Sequence, residues 1–175
     1  MIAQDSAPNT DAFGLDSLPI HLVEPNGFNP RSSFDEVALA ELAESIRQHG
    51  ILEPLVVRFR KSELEPSLVI GYDLIAGERR LRAAKLAGLS TVPVRVVDVD
   101  DRTAHELALV ENLVREDLDP IETAEGYRRL AELGVKQAEI GRRVGRSQPL
   151  VANTMRLLQL PADVVERIRA QGVKV

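Results

Sequence analysis

The sequence contains no cysteine and no tryptophan among its 175 residues. The absence of cysteine excludes disulfide bonds, thiolate zinc sites and cysteine nucleophiles, and it is consistent with a reducing cytosol. With only two Tyr and four Phe, the core must be built from Leu, Val, Ile and Ala. No apolar stretch approaches the length of a membrane span, and the N-terminus lacks an apolar signal core. We therefore expect a cytoplasmic protein without a membrane partner.

The charge is distributed unevenly along the chain, although its net value is only −5. Residues 127–175 contain ten Lys and Arg against four Asp and Glu, a balance of +6. Residues 1–126 contain twelve basic and twenty-three acidic residues, a balance of −11. This asymmetry predicts that only the C-terminal part contacts a polyanion such as nucleic acid. Chance clustering of surface charge is the alternative.

The apolar periodicity predicts a small α+β domain with a mixed sheet, followed by an all-helical domain. We expect a flexible tail over residues 1–18, the α+β domain over 19–118 and the helical domain over 119–175. The predicted elements, in chain order, are a loop over 24–34, a helix from 35 to 49, strands over 55–59 and 67–76, a helix from 78 to 88, a strand over 91–97 and helices over 101–112 and 121–133.

Three arginines follow a glycine where a strand is predicted to lead into a helix. The amide groups and the dipole at a helix N-terminus favour anions, so arginine is disfavoured there unless an anion is bound. A di- or triphosphate would satisfy this site, and Gly77 would let the backbone approach it. The alternative is that the arginines extend into solvent or pair with Glu78 and distant acids. The residues are Gly77, Glu78, Arg79, Arg80 and Arg82; the chain has no GxxxxGK[ST] P-loop.

A second polar group is predicted at a helix end, where Glu111 and Asn112 are followed by Arg115. Carboxylate and amide oxygens can hold a Mg²⁺ that bridges phosphate oxygens. A solvated, charged helix terminus is the alternative.

Residues 135–160 have the pattern of a helix, a glycine turn and a second helix, which is typical of a helix-turn-helix. Ala138, Ile140 and Val144 are predicted to face inward from the first helix, and Val151, Met155 and Leu158 from the region of the second. Gly145 would form the turn and Ser147 the N-cap. An αα-hairpin used only for packing is the alternative, but the local charge favours DNA. The candidate DNA-binding residues are Arg142, Arg143 and Arg146 for phosphates, and Ser147, Gln148, Asn153 and Arg156 at the groove.

Over residues 18–172 the chain resembles the ParB/Noc family of chromosome and plasmid partition proteins. The matching runs are PNGFNPRSSFDE, LAESIRQHGILEPLVVR, IAGERRLRAAKLAGLSTVPV, ENLVREDLDPIETAEGYRRL and VGRSQPLVANTMRLLQLP. The resemblance implies that the N-terminal domain binds CTP with Mg²⁺ and that the helix-turn-helix binds a palindromic parS-like site. It also implies that CTP and DNA together close two N-terminal domains into a sliding clamp, which slow CTP hydrolysis reopens.

The resemblance assigns roles to individual residues. Gly77, Glu78, Arg79 and Arg80 would contact phosphate, together with Arg31 of the NPR loop. Glu111 and Asn112 would serve phosphate and metal, with Arg115 nearby. Asn29 and Glu111 are the candidate catalytic residues. The implied partners are parS-like double-stranded DNA, a second copy of the chain, and a ParA-type ATPase at the N-terminal tail; the implied location is the nucleoid.

Three positions depart from the family pattern. Asn29 stands where the loop usually has Gln, and His21 lies near a position where many relatives have Thr, which predicts slow or absent hydrolysis. Gln148 stands where many relatives have a basic residue, which affects the DNA site recognised. We also expect the C-terminal dimerisation domain, which follows the segment matching RIRAQGVKV in relatives, to be absent.

Two other classes of function are open to such a chain. One is a transcriptional regulator or nucleoid-occlusion adaptor that binds DNA without nucleotide turnover. The other is an enzyme of the sulfiredoxin type, which shares the N-terminal fold. The latter is disfavoured because its chemistry requires a cysteine.

Overall fold

The structure, a computed structural model, describes residues 15–25, 35–62, 64–65, 67–115 and 118–170. The chain forms two compact units that divide between His105 and Glu106, earlier than the boundary predicted at residue 118. The division falls inside one helix because Leu109 and Leu113, in its second half, belong to the core of the second unit.

The first unit is built on a five-stranded mixed sheet. Its strand order is β1-β5-β3-β4-β2; β1 and β5 run antiparallel, as do β3 and β4, whereas β3 is parallel to β5 and β2 to β4. The elements are β1 (Leu15–Pro19), a 3-10 turn (Ile20–Leu22), β2 (Val23–Pro25), α1 (Glu36–His49), β3 (Leu55–Lys61), β4 (Val69–Ala76), α2 (Glu78–Ala87), β5 (Thr91–Val97) and the start of α3 (Asp101–Leu113).

Strands β1 and β2 correct the sequence prediction, which placed a flexible tail up to residue 18 and began a loop at residue 24. Leu18 of β1 lies opposite Val92 of β5, and the Ile20 amide donates to the Ser90 carbonyl at 3.0 Å. Val23 of β2 is 1% exposed. These short strands were missed because each contributes few inward-facing residues between polar and proline positions.

The core of the first unit follows from strand alternation. Leu55 and Val57 of β3 are fully buried, and so are Val92 and Val94 of β5, since alternate residues of a strand point to the same face. Leu81 and Ala84 of α2 complete this cluster. Helix α1 begins at its N-cap, Asp35, whose carboxylate accepts from the Val37 amide at 2.9 Å.

An arginine secures the start of α3 within the first unit. Arg58 of β3 donates to the carboxylates of Asp73 on β4, at 3.1 Å, and of Asp101, at 2.5 Å. The Arg58 side chain is only 12% exposed. The first turn of α3 is therefore tied to the sheet.

The second unit is helical. After the second half of α3 it contains α4 (Pro120–Glu132), α5 (Gln137–Val144), α6 (Gln148–Arg156), a 3-10 turn (Leu157–Gln159) and α7 (Ala162–Ala170). A capping box opens α4, in which Asp119 accepts from backbone amides and Glu122 reaches back to the Asp119 amide. None of the helices in the described ranges is long and apolar enough to span a membrane.

Candidate nucleotide and DNA sites

The turn from β4 into α2 requires glycine at position 77. Gly77 is the N-cap of α2 and has φ +103°, a left-handed conformation that L side chains rarely adopt. A Cβ at this position would lie 2.7 Å from Cδ2 of Leu55. Glycine is thus required by the conformation of the turn and by the close packing of Leu55. The amide groups at the N-terminus of α2 suit the predicted phosphate group.

The arginines that follow are arranged differently from one another. Arg80 donates through Nη1 to the carbonyl oxygens of Glu53, at 2.5 Å, and Pro54, at 2.8 Å. Arg82 donates through Nε to the buried carboxylate of Glu78 at 2.7 Å. These contacts match the alternative in which arginines pair within the protein. Arg80 also supports the Glu53–Pro54 loop, a role that its sequence position did not reveal.

Arg79 differs from its neighbours because its side chain is exposed, and no ion pair or hydrogen bond joins it to another residue of the described ranges. It is therefore the arginine of this turn that can meet an added anion without giving up a protein contact. Arg31 and Asn29 lie outside the described residues.

The second group of residues predicted to bind phosphate lies in the second unit, at the end of α3. Glu111 is exposed, and Asn112 is partly buried and accepts through Oδ1 from Nη1 of Arg115 at 3.1 Å. Within the described ranges, no three His, Asp or Glu side chains are grouped so as to hold a metal. A Mg²⁺ at Glu111 and Asn112 would therefore take most of its ligands from phosphate and water, as this ion commonly does.

The helix-turn-helix is tightly closed. Gly145 ends α5 with φ +69°, and the Arg146 amide donates to the Gly141 carbonyl at 2.8 Å. A Cβ at Gly141 would lie 2.6 Å from the Arg146 carbonyl oxygen. Ser147 caps α6, accepting from the Leu150 amide at 3.4 Å. This confirms the predicted turn and cap, and Gly141 adds a constraint that the sequence analysis missed.

One inward assignment on α5 is wrong. Ala138 is exposed, whereas Ile140 is fully buried. Two residues apart on an α-helix are about 200° apart around its axis. Ala138 and Ile140 therefore cannot face the same core.

The exposed residues around the turn include most of the predicted DNA contacts: Arg142, Arg146, Ser147, Gln148, Asn153 and Arg156. Arg142 forms an ion pair with Glu139, and Arg156 donates to Asn153 at 3.3 Å. Arg146, Ser147 and Gln148 lie at the N-terminal end of α6, where amide groups and the helix dipole favour an anion, whereas Asn153 and Arg156 lie in its second half.

Arg143 stands apart from this exposed group. Its Nε lies 2.8 Å from Oε1 of Glu139, and its Nη1 lies 2.8 Å from Oε2 of Glu106 on α3. Burial would lower the pKa of Arg143, but the hydrogen bonds to Glu139 and Glu106 raise it overall. The spacing of Glu139 and Arg143, four residues apart on one helix, was a visible signal for the first of these pairs. The contact with Glu106 was not visible from sequence spacing.

A cavity of about 370 Å³ in the second unit is lined by residues from both the predicted nucleotide site and the predicted DNA site. Arg115, assigned to nucleotide, and Arg146, assigned to DNA, both line it, beside the buried Tyr127. Burial raises the pKa of Tyr127 against the opposing effect of Arg146.

Both units match known protein families. Residues 4–113 match the ParB N-terminal domain, and residues 116–175 match the ParB HTH domain. The chain belongs to the ParB family. The α+β fold with a mixed sheet, followed by a helical helix-turn-helix domain, is confirmed.

Curated relatives extend beyond the matched region. The chromosome-partitioning protein Spo0J of Thermus thermophilus is 51% identical over 161 residues, covering 92% of this chain and 56% of the relative. Stage 0 sporulation protein J of Bacillus subtilis is 48% identical, covering 90% of this chain and 53% of the relative. This ParB-family chain therefore spans about half the length of these relatives.

Two solved structures of C-terminally truncated ParB from Caulobacter crescentus are similar to the chain. The complex with the centromeric parS site has a TM-score of 0.74 and 37% identity, covering 89% of this chain and 78% of that one. The complex with CTP-gamma-S has a TM-score of 0.52 and 39% identity, covering 90% and 86% respectively.

Proposed function

We propose that this ParB-family chain is a CTP-dependent DNA clamp that recognises a palindromic parS-like site in chromosome or plasmid segregation. The observation that carries the proposal is the shared fold, at 37% and 39% identity, with Caulobacter ParB bound to parS and to CTP-gamma-S. The glycine turn at the start of α2 and the exposed polar side chains around α6 provide sites of suitable chemistry for these two ligands.

The proposed nucleotide site uses Gly77, Glu78, Arg79, Arg80 and Arg31, with Glu111, Asn112 and Arg115. Glu111 and Asn112 would hold Mg²⁺, which would supply charge stabilisation for slow hydrolysis. Asn29 and Glu111 are the candidate catalytic residues. Calorimetric titration with CTP, ATP, GTP and UTP, with and without Mg²⁺, tests this assignment. CTP should bind selectively, and omission of Mg²⁺ should weaken it.

Two arginine variants distinguish a residue that only contacts phosphate from one that also supports a loop. Arg79→Ala should lower CTP affinity roughly tenfold or more, because one charge-assisted hydrogen bond is lost, and should leave stability unchanged. Arg80→Ala should lower both affinity and stability, since Arg80 also holds the Glu53 and Pro54 carbonyls. Arg95→Ala, at an exposed position on β5, is the matched control. Unchanged CTP binding in both Arg79→Ala and Arg80→Ala would exclude this turn as the phosphate site.

DNA binding should reside in residues 119–175 and weaken steeply with salt, because basic side chains displace condensed counterions. Arg146→Ala should weaken all duplexes alike and reduce the slope of log affinity against log salt by about 1. Gln148→Ala should instead change the preference between sites. Fluorescence anisotropy with parS-like and scrambled duplexes measures both quantities. A salt-independent affinity would contradict the proposal.

A clamp also requires the N-terminal domains of two chains to associate. Ser17→Cys places a thiol at an exposed position of β1 in an otherwise Cys-free chain. Bismaleimide crosslinking should rise when CTP and parS-like DNA are present together, and stay low with ATP or scrambled DNA. Equal crosslinking in all conditions would identify a static DNA-binding module. From the family resemblance we also propose that a ParA-type ATPase binds the N-terminal tail.

A second candidate function is a DNA-binding regulator or nucleoid-occlusion adaptor without nucleotide turnover. It is favoured by the nucleoid occlusion protein of Listeria innocua, which is 45% identical over 152 residues, covering 86% of this chain and 51% of that protein. Release of phosphate from CTP, stimulated by cognate DNA, distinguishes the two. Turnover supports the clamp, whereas CTP binding without turnover supports the adaptor.

A further inference from the structure

An ion-pair network connects the first helix of the helix-turn-helix to α3. Arg143 on α5 contacts Glu139, one turn earlier on the same helix, and Glu106 on α3, each at 2.8 Å. The Glu106 side chain is 10% exposed, against 30% for Arg143 and 29% for Glu139. Glu106 is thus the buried member of the network.

The network constrains orientation more strongly than an exposed ion pair could. A buried carboxylate is strongly disfavoured unless a cation and hydrogen bonds meet it in good geometry. Arg143 presents its donors in a planar arrangement, and here Nε and Nη1 are directed at two carboxylates. This geometry leaves α5 little freedom to rotate or slide on α3 without separating the buried charge from its partner.

The orientation of α5 also determines the orientation of α6, the second helix of the helix-turn-helix. Gly141 of α5 approaches the Arg146 carbonyl too closely to accept a Cβ, and the Arg146 amide is bonded back to Gly141. Ile140 of α5 and Val151 of α6 are both fully buried in one cluster with Leu109 of α3. Helices α5 and α6 are therefore held together by a close turn and a shared core.

We infer that Glu106 is a positioning residue for DNA recognition, which acts through Arg143 to fix α5 and α6 on α3. In this arrangement Arg143 directs Nε and Nη1 at carboxylates, whereas Arg146 is exposed. The inference rests on the proposed DNA-binding function and deepens it, because it assigns part of DNA affinity to a buried acid that does not face the ligand.

The sign of one substitution distinguishes positioning from simple electrostatics. Removing a negative charge beside a DNA-binding surface should strengthen DNA binding if charge alone matters. If Glu106 positions the helices, Glu106→Gln should weaken binding to a parS-like duplex, on the order of tenfold. Glu132→Gln, at an exposed acid of α4, is the matched control and should leave affinity unchanged or slightly higher.

The salt dependence of binding identifies the role of Arg143. Affinity for the duplex is measured by anisotropy over a salt series for wild type, Glu106→Gln, Arg143→Gln and the double variant. The slope should remain that of wild type in all three, because no phosphate contact is lost, and the double variant should bind no worse than Arg143→Gln. A shallower slope in Arg143→Gln, or equal or tighter binding by Glu106→Gln, would overturn the inference.

Two further measurements keep the result interpretable. Glu106→Asp and Arg143→Lys retain the charges. They are used instead of Glu106→Gln and Arg143→Gln if either glutamine variant loses its helical circular dichroism. Hydrogen exchange of the amides in α5 and the following turn should be faster in Glu106→Gln, a readout that needs no DNA. If wild type fails to prefer the parS-like duplex over a scrambled one, the proposed function fails; unchanged exchange refutes positioning in either case.

Discussion

Replacement of Gly77 by alanine should destabilise the first unit far more than the small added volume suggests. Gly77 has φ +103°, and its new methyl group would be placed 2.7 Å from Cδ2 of Leu55. Leu55 is fully buried within the sheet core. It cannot move aside without displacing its neighbours.

The magnitude follows from two separate costs. A non-glycine residue in the left-handed region costs about 1–2 kcal/mol. Overpacking a close-packed core by a methyl group adds about 1–3 kcal/mol. The total, about 2–5 kcal/mol, is a large part of the roughly 5–15 kcal/mol that stabilises a typical domain.

Urea unfolding followed by circular dichroism measures this cost, and Gly88→Ala is the matched control. Gly88 ends the same helix with φ +79°, but a Cβ there meets nothing within 4 Å. Gly88→Ala should therefore show the conformational cost alone, about 1–2 kcal/mol. If Gly77→Ala lowers the free energy of unfolding no more than Gly88→Ala does, the close approach to Leu55 does not constrain position 77.

Three further predictions concern the second unit. Gly141→Ala should destabilise the second unit by about 1–3 kcal/mol, because the new Cβ would lie 2.6 Å from a backbone oxygen of Arg146. It should also weaken DNA binding. Wild-type values in both thermal unfolding and anisotropy would show that the turn at Gly141 tolerates a side chain. Asp119→Ala removes the capping box of α4 and should lower the free energy of unfolding by about 1 kcal/mol, whereas an unchanged urea midpoint would show that the cap contributes nothing. The hydrogen bond from Arg143 lowers the pKa of Glu139 below its usual 4.5, so its contribution to stability is present above pH 4.5 and is lost as the pH falls through the lower folded-state value. Glu139→Gln should accordingly flatten the loss of stability measured by unfolding below pH 4.5, and an equally steep loss in that variant would refute the assignment.

Elements with strong local signals were predictable from the sequence. Strand β5 (Thr91–Val97) and helix α2 (Glu78–Ala87) match their predicted bounds closely, because alternation and flanking glycines mark them. The helix-turn-helix was predictable for the same reason, since Gly145 and Ser147 specify the turn and the cap. Each of these signals is contained within a few neighbouring residues.

The features that could not be predicted depend on contacts between distant segments. Arg80 is bound by carbonyl groups of Glu53 and Pro54, and no spacing rule connects residues so far apart in sequence. The contact between Arg143 and Glu106 was invisible for the same reason. Charge indicated where cations cluster, but only the fold shows which of them have carboxylate partners.

The two short strands before α1 determine the order in which the sheet can assemble. Strands β1 and β2 occupy opposite edges of the sheet, although they are separated only by a 3-10 turn. Their partners are β5 and β4, and Leu15 of β1 pairs with Arg95. During synthesis these strands leave the ribosome first, yet they can pair only after the central strands have emerged. Both strands end in proline, which has no amide to donate to a further strand, so each outer edge offers a neighbouring chain one donor fewer.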